Sequence, residues 1–272
     1  MRDVDGFLRD GETLEDLQIN GAKIIQNHAY YTFANDPILL VNFARIKKNS
    51  VVVDLCSGSG IIALLVALKS QVNVVYGMEI QQVMADMAMR SVEINNLQNK
   101  VQIIQDRIQN YSTHLKKASV DVVFCNPPYF KVGSKKQCEN DIKTIARHEV
   151  QVTLNEVVKV ASELINSKGE FYLVHQVDRL QDICALCDKY KLAIKEMMLV
   201  QATQNKPPHL VLIKAVKDGA NEVKILPNLI LNNTNGSFTT KVIKMYATKD
   251  ITKKSQTWLW FDFFDIFSGC FS

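Results

Sequence analysis

Two short stretches of this 272-residue sequence combine residue types and spacings that could do chemistry. The sharper one is Asn126-Pro127-Pro128-Tyr129, which follows the apolar run 120–125. Its prolines remove two backbone donors and stiffen the loop, so carbonyl oxygens are left pointing outward. Asn126 adds a side-chain oxygen, and two acceptors can then converge on one planar NH2 group. The lone pair of such a group is delocalised into its ring or carbonyl and is a poor nucleophile. Acceptors gripping both hydrogens favour the pyramidal, developing-ammonium geometry of a transition state. Tyr129 is suited to stack on a flat substrate face, worth ~1–3 kcal/mol per base. The plain alternative is a rigid turn with a packed tyrosine.

The other stretch is Gly58-x-Gly60-x-x-Ala63, which follows an apolar run, opens a helix and has Glu79 about twenty residues further on. Taken literally, this is a dinucleotide-binding fingerprint, with a helix N-terminus facing a pyrophosphate and an acid holding a ribose. The same geometry suits S-adenosylmethionine, whose ribose hydroxyls want a carboxylate and whose methionine end sits beside the glycine turn. Asp54, four residues before Gly58, separates the two readings. A fixed carboxylate there would repel a pyrophosphate, yet it can organise the loop and attract an ammonium or sulfonium group. A glycine turn with no ligand remains the bland option.

Positioning these residues requires strands that end where the loops begin. Apolar runs at 51–55, 72–78, 101–104, 120–125 and 170–175 alternate with helical stretches at 61–69, 80–97 and 155–165. Near-continuous apolar strands separated by helices predict a mostly parallel sheet covered on both faces. Asn126 then stands at the carboxyl end of a parallel strand, where open α/β sheets bind their ligands. The β-rich runs 191–202 and 209–216 have no helix between them, which predicts an antiparallel hairpin at the sheet's edge. Asp36 reads as a helix N-cap with Pro37 at the first helical position, leading into 38–44. Residues 1–20 carry many charges and no core pattern, as a flexible arm would.

Composition narrows the class without naming a function. With 47% apolar and 22% charged residues the chain is ordinary for a globular protein, not a disordered one. Its formal charge of +4 permits an anionic partner but does not demand one. No uncharged apolar run is long enough to span a membrane, and the charged N-terminus does not read as a signal peptide. Six scattered cysteines fit free thiols in a reducing cytoplasm, and Cys184 and Cys187 read as ordinary helix residues rather than metal ligands. No metal is expected, and a monomer is the favoured state.

The segment from Lys131 to Arg147 carries Lys131, Lys135, Lys136 and Arg147 beside the presumed site, mixed with Glu139 and Asp141. Such a long polar connection binds or covers substrate, and with Lys23 and Arg45 it could supply phosphate contacts to RNA. The alternative is a solvated loop. His148 and His175 receive no general-base role, because the ammonium formed by methyl transfer is acidic enough to lose its proton to water. The aromatic run 258–267 holds both tryptophans and reads as a docked terminal helix or a partner-contacting element.

Asp54 through Gly60, Glu79, Asp106 and Asn126 through Tyr129, in that order and spacing, resemble a class I S-adenosylmethionine-dependent methyltransferase of the amino-group type. More closely, residues 21–216 are similar to the bacterial tRNA1(Val) (adenine37-N6)-methyltransferase family. Phe33-Ala34-Asn35-Asp36-Pro37-Ile38-Leu39-Leu40, Ala146-Arg147-His148-Glu149 and Pro207-Pro208-His209-Leu210-Val211-Leu212 carry that closer likeness. The resemblance implies a Rossmann-like α/β fold with S-adenosylmethionine held by Asp54, Cys56, Gly58, Gly60, Glu79, Asp106 and Asn126. It implies chemistry on a tRNA adenine by Asn126, Pro127 and Tyr129; the charge of the following segment separately puts Lys131, Lys135, Lys136 and Arg147, beside Tyr129, toward the RNA. Cys56 departs from the pattern, since the family's loop carries glycine there; it reads as a loop residue and not a nucleophile.

These observations predict an N-terminal arm over 1–30, a catalytic domain over 31–217 and a C-terminal extension over 218–272, in a cytoplasmic enzyme. A release-factor glutamine N5-methyltransferase is the first rival, because a glutamine amide is also a planar NH2 group. Those enzymes generally carry a helical N-terminal domain, for which fifty residues before Val51 leave little room. A non-catalytic RNA-binding module and a dehydrogenase are the remaining rivals.

Overall fold

A computed structural model describes residues 5–30, 35–129, 152–246 and 251–252. Lys131, Lys135, Lys136, Arg147, residues 146–149, Phe33, Ala34 and the aromatic run 258–267 lie outside the described residues.

The strands are β1 (Glu12–Asp16), β2 (Lys23–Asn27), β3 (Val51–Leu55), β4 (Val74–Glu79), β5 (Val101–Gln105), β6 (Val120–Cys125), β7 (Ile165–Gln176), β8 (Leu192–Gln201), β9 (Pro208–Lys217) and β10 (Lys224–Ile230). The helices are α1 (Asp36–Phe43), α2 (Ile61–Lys69), α3 (Gln82–Ile94), α4 (Leu154–Leu164), α5 (Leu180–Lys189) and α6 (Thr240–Tyr246). Eight strands make one sheet in the order β10-β8-β9-β7-β6-β3-β4-β5. From β3 the chain winds outward through β4 and β5, then returns to lay β6 on the other side of β3, all in parallel.

Alternation along the central strands fills two apolar layers. Val52, Val122, Phe124, Tyr172 and Val174 face α1 and α2, while Val53, Leu55, Val123, Phe171 and Leu173 face α4 and α5. Strands buried on both faces need apolar residues at every position, which is why 51–53 and 122–125 hold so few polar groups. α2 is buried nearly all round, even at Lys69, whose ammonium donates to Asn42 Oδ1 at 2.9 Å and to the Met245 carbonyl at 2.8 Å. α4 opens with a reciprocal capping box between Thr153 and Glu156, the arrangement that satisfies two otherwise orphaned groups at a helix start.

Three expectations are revised. The antiparallel pair β8–β9 exists, but it is not the sheet's edge: β9 lies between β7 and β8, and β10 adds in parallel outside β8. Asp36 is not the cap of α1; Asn35 holds that position without a side-chain cap bond, and the Asp36 carboxylate is engaged elsewhere. The charged start is also more than an arm, since β1 and β2 form an antiparallel hairpin. The outer edge of β2 is closed by α3, where Ser91 Oγ accepts from the Ile25 N–H and Asn95 Oδ1 from the Lys23 N–H, both at 2.9 Å. Side-chain oxygens on a helix thus replace a third strand, which left no hydrophobic period to read.

Arg90 fastens this hairpin, donating to Glu12 Oε2 at 2.6 Å, Glu12 Oε1 at 2.7 Å and Asp86 Oδ2 at 2.7 Å. The Glu12 side chain is only 3% exposed, so losing its partner strands a desolvated charge. Arg90→Ala is expected to lower stability by ~1.5–3 kcal/mol, the worth of hydrogen bonds to a charged group, in urea unfolding. An unchanged midpoint would show that the hairpin does not depend on this cluster.

Candidate active site

The site forms where the strand order reverses. Leu55 and Cys125 are register partners on the parallel strands β3 and β6, so the loops 56–60 and 126–129 leave the sheet side by side. Open α/β sheets place ligands in this crevice because diverging connections leave a gap at the strands' carboxyl ends.

The floor is set by buried acids. Asp54 is fully buried at the end of β3, and its Oδ2 accepts from Ser57 Oγ at 2.7 Å. Its Oδ1 is buried without a hydrogen-bond partner among the described residues. Burial pushes its carboxyl up to about 7; the Ser57 hydroxyl opposes this and the nearby Glu79 carboxylate adds to it. Glu79 ends β4, with Oε2 accepting from the Gly58 N–H and Oε1 from the Gln81 N–H, both at 2.8 Å. Burial raises its pKa as well, against the pull of those backbone donors. No cation among the described residues contributes to either shift. A cleft with two adjacent buried acids and an orphaned carboxylate oxygen suits a cationic ligand.

The glycine loop has the backbone its sequence requires. Gly58 (φ 56°) and Gly60 (φ 84°) are left-handed, and a Cβ on Gly60 would meet Ala88 Cβ at 3.0 Å. Cys56 is left-handed too, at φ 60°, a backbone angle that favours glycine. A side chain at that angle costs ~1–2 kcal/mol. Beside it the buried Cys125 thiol donates to the Leu55 carbonyl at 3.2 Å, and its pKa is driven well up by burial and by the neighbouring Cys56. Gly77, the register partner of Asp54 on β4, keeps the space open.

Asp106 follows β5, and its backbone N–H donates to the Glu79 carbonyl at 3.0 Å. Its carboxylate is already engaged: Oδ1 accepts from Asn110 Nδ2 at 2.8 Å, and Oδ2 lies 2.8 Å from His114 Nε2. The His114 contact, with Asn110 and a backbone donor, holds its pKa below the usual carboxylate range.

On the other side of the crevice, Pro127 is buried while Asn126 and Tyr129 are half-buried. The Tyr129 hydroxyl lies 2.5 Å from Asn126 Oδ1 and 2.7 Å from Asp36 Oδ2. Its ring sits 5.2 Å from that of His175, tilted by 50°. His175 is fully buried, its Nδ1 accepts from the Gln176 N–H at 2.8 Å, and desolvation lowers its pKa to about 4. Desolvation thus keeps this imidazole neutral, with one nitrogen committed to backbone and its ring packed against Tyr129. Lys23, expected near phosphates, pairs with Asp16 at 2.7 Å, and one guanidinium nitrogen of Arg45 donates to the Asn42 and Ala44 carbonyls.

The structure thus brings Asp54, Cys56, Gly58, Gly60, Glu79, Asn126, Pro127 and Tyr129 to one crevice, with Asp106 at its rim. Ser57, Gly77 and Asp36 complete it. Ser57 was visible inside the Ser57-Gly58-Ser59-Gly60 run, whereas the local signal at Asp36 read as a helix cap, because its partner lies 93 residues away.

Sheet order, crevice and loop chemistry together define a Rossmann-like α/β methyltransferase fold. The methyltransferase small domain model matches residues 35–186, over half of the chain, and the chain belongs to that family. It is 24% identical over 219 residues to a tRNA1(Val) (adenine(37)-N6)-methyltransferase of Shewanella woodyi, covering 78% of this chain and 89% of the relative. The same-named protein of Haemophilus influenzae is 25% identical, covering 90% of this chain and 99% of its own. Among solved structures, a predicted O-methyltransferase from Agrobacterium tumefaciens superposes with a TM-score of 0.65 at 19% identity, covering 80% of this chain and 99% of that one.

Two outcomes follow from the floor of the site. Asp54 gains a proton on folding, so that contribution is fully present below its unfolded value of 3.8 and lost as pH rises through about 7. Urea unfolding should show the wild type losing stability relative to Asp54→Asn between those limits; a constant difference would contradict the burial of this carboxyl. A Cβ at Gly77 would stand 2.7 Å from Ser57 Oγ and 2.9 Å from Ile103 Cδ1. Gly77→Ala should therefore cost ~1–3 kcal/mol, the usual range for overpacking, and a neutral result in the same assay would refute the close fit.

Proposed function

We propose that this chain transfers a methyl group from S-adenosylmethionine to N6 of an adenine in tRNA, at position 37 of tRNA1(Val), in the cytoplasm. The observation that carries the reading is the adjacency of the glycine loop and Asn126-Pro127-Pro128-Tyr129 at the carboxyl ends of paired strands. The names of the curated relatives support the substrate. No helix among the described residues is long and apolar enough to cross a membrane.

S-adenosylmethionine, when bound, supplies a methyl group made electrophilic by its positive sulfur. In this proposal Gly58 and Gly60 let the backbone approach it closely, and the unshared oxygen of Asp54 faces its positive charge. Each Glu79 oxygen already accepts one backbone N–H and keeps a lone pair for a ribose hydroxyl. Cys56 and Asp106 line the same pocket, Asp106 toward the adenine end. Asn126 Oδ1 and the Pro127 carbonyl receive the two hydrogens of the target amine, drawing its lone pair out of conjugation. Tyr129 stacks on the base, which must leave its own stack to reach the crevice. Orientation and fixed dipoles supply the rate, and water takes the proton. Lys131, Lys135, Lys136 and Arg147 follow this loop in sequence and would meet the phosphates.

Mass spectrometry of tRNA nucleosides from cells with and without the gene tests the reading, with N6-methyladenosine lost in the deletion. In vitro, Asn126→Ala should lower kcat by the equivalent of ~2.7–4 kcal/mol, the worth of one oriented transition-state group. Cofactor affinity by calorimetry should stay near wild type. Near-normal turnover would remove Asn126 from the mechanism, and methylation of a release-factor glutamine instead of tRNA would replace the substrate.

A further inference from the structure

The Tyr129 hydroxyl stands between two side-chain oxygens, Asp36 Oδ2 at 2.7 Å and Asn126 Oδ1 at 2.5 Å. A phenol has one hydrogen and can donate to only one of them. The observed arrangement is satisfied throughout when Asp36 carries a proton: Asp36 donates to Tyr129, and Tyr129 donates to Asn126. Burial, which raises the pKa of Asp36 against the pull of Tyr129 and His209, favours that proton. In this arrangement Tyr129 takes one lone pair of the Asn126 oxygen and holds the amide with that oxygen turned toward the phenol.

Ionising Asp36 reverses the chain of donors. The carboxylate then takes the Tyr129 hydrogen, the phenol oxygen becomes an acceptor, and the matching group on Asn126 is its NH2. A half-turn of the Asn126 amide meets that demand and swings Oδ1 away from Tyr129 toward the crevice. The two ends of an amide have nearly the same shape, so packing alone does not choose between them. The neighbouring donors do.

We propose that Asp36 is a positioning residue that acts through the Tyr129 hydroxyl to decide which end of the Asn126 amide faces the substrate. Its role is to draw the hydroxyl hydrogen away from Asn126, which releases the oxygen that receives a planar amino group. The site supports this placement. Asp36 opens α1, and the preceding Asn35 accepts from the Tyr246 hydroxyl of α6, which ties the start of that helix to the C-terminal side of the fold. The proposal rests on the amino-methylation reading above and adds a residue outside the Asn126–Tyr129 motif.

The test measures methyl transfer to unmodified tRNA by wild type, Asp36→Ala, Tyr129→Phe and the double variant, with folding followed by circular dichroism. Without Asp36, the Tyr129 hydroxyl loses that acceptor and keeps Asn126 Oδ1, which holds the amide oxygen turned toward the phenol. Asp36→Ala should therefore lower kcat/KM by about 10- to 150-fold, the range for one hydrogen bond to a charged group. Tyr129→Phe keeps the ring and removes the competing hydrogen. In the Tyr129→Phe background the Asp36→Ala change should consequently cost no more than about twofold, and the double variant should outperform Asp36→Ala alone. A purely structural role, or misfolding, gives equal losses in both backgrounds and overturns the proposal. A wild-type enzyme that transfers nothing to tRNA overturns the underlying reading, whereas an active wild type with equal losses overturns the role of Asp36 alone.

Discussion

The crevice depends on one constraint, the position of β3 between β4 and β6 in a parallel sheet. Because both neighbours run in its direction, all three strands release their loops at the same end, and β3 is where the connections part company. Asp54, Glu79 and Asn126 each sit at or just beyond the end of one of these strands. Parallel register, not any contact between the loops, brings them together. The two core layers on either side of the sheet fix that register, since a slip of one residue would turn Val52 and Val53 to the wrong faces.

That rigidity lets the site hold groups that are unfavourable by themselves. Asp54 keeps an oxygen out of water without a partner, and Cys56 adopts a backbone angle suited to glycine. Burying an unsatisfied carboxyl oxygen and straining a backbone angle each cost on the order of 1–3 kcal/mol, and they persist only where surrounding structure over-determines them. Here the Ser57 hydroxyl, the Glu79 bonds to the Gly58 and Gln81 N–H groups and the close fit at Gly77 supply that determination. The strain collects where a cationic ligand would relieve part of it.

The central architecture was legible because its residues obey local rules. The apolar runs at 51–55 and 120–125 became β3 and β6 with those bounds, and the helix at 61–69 likewise became α2. Glycine spacing and the Asn-Pro-Pro-Tyr run placed the two loops that face each other. What escaped was set by distant partners. The β1–β2 hairpin is closed by oxygens on α3, the parallel strand β10 is added outside a hairpin that looked terminal, and Asp36 serves Tyr129 rather than its own helix. None of these leaves a period or spacing in the local sequence. Lys131, Lys135, Lys136 and Arg147 remain a reading of charge beside the catalytic loop.

The central claim is that this crevice recognises and methylates the exocyclic amine of one tRNA adenine. It is tested most directly by transfer of a labelled methyl group from S-adenosylmethionine to two tRNA1(Val) transcripts. One carries adenine at position 37, and the other carries purine there, the same ring without its amino group. The account predicts stoichiometric labelling of the first and none of the second. Equal labelling of both, or labelling of neither by a protein that binds the cofactor, would contradict it.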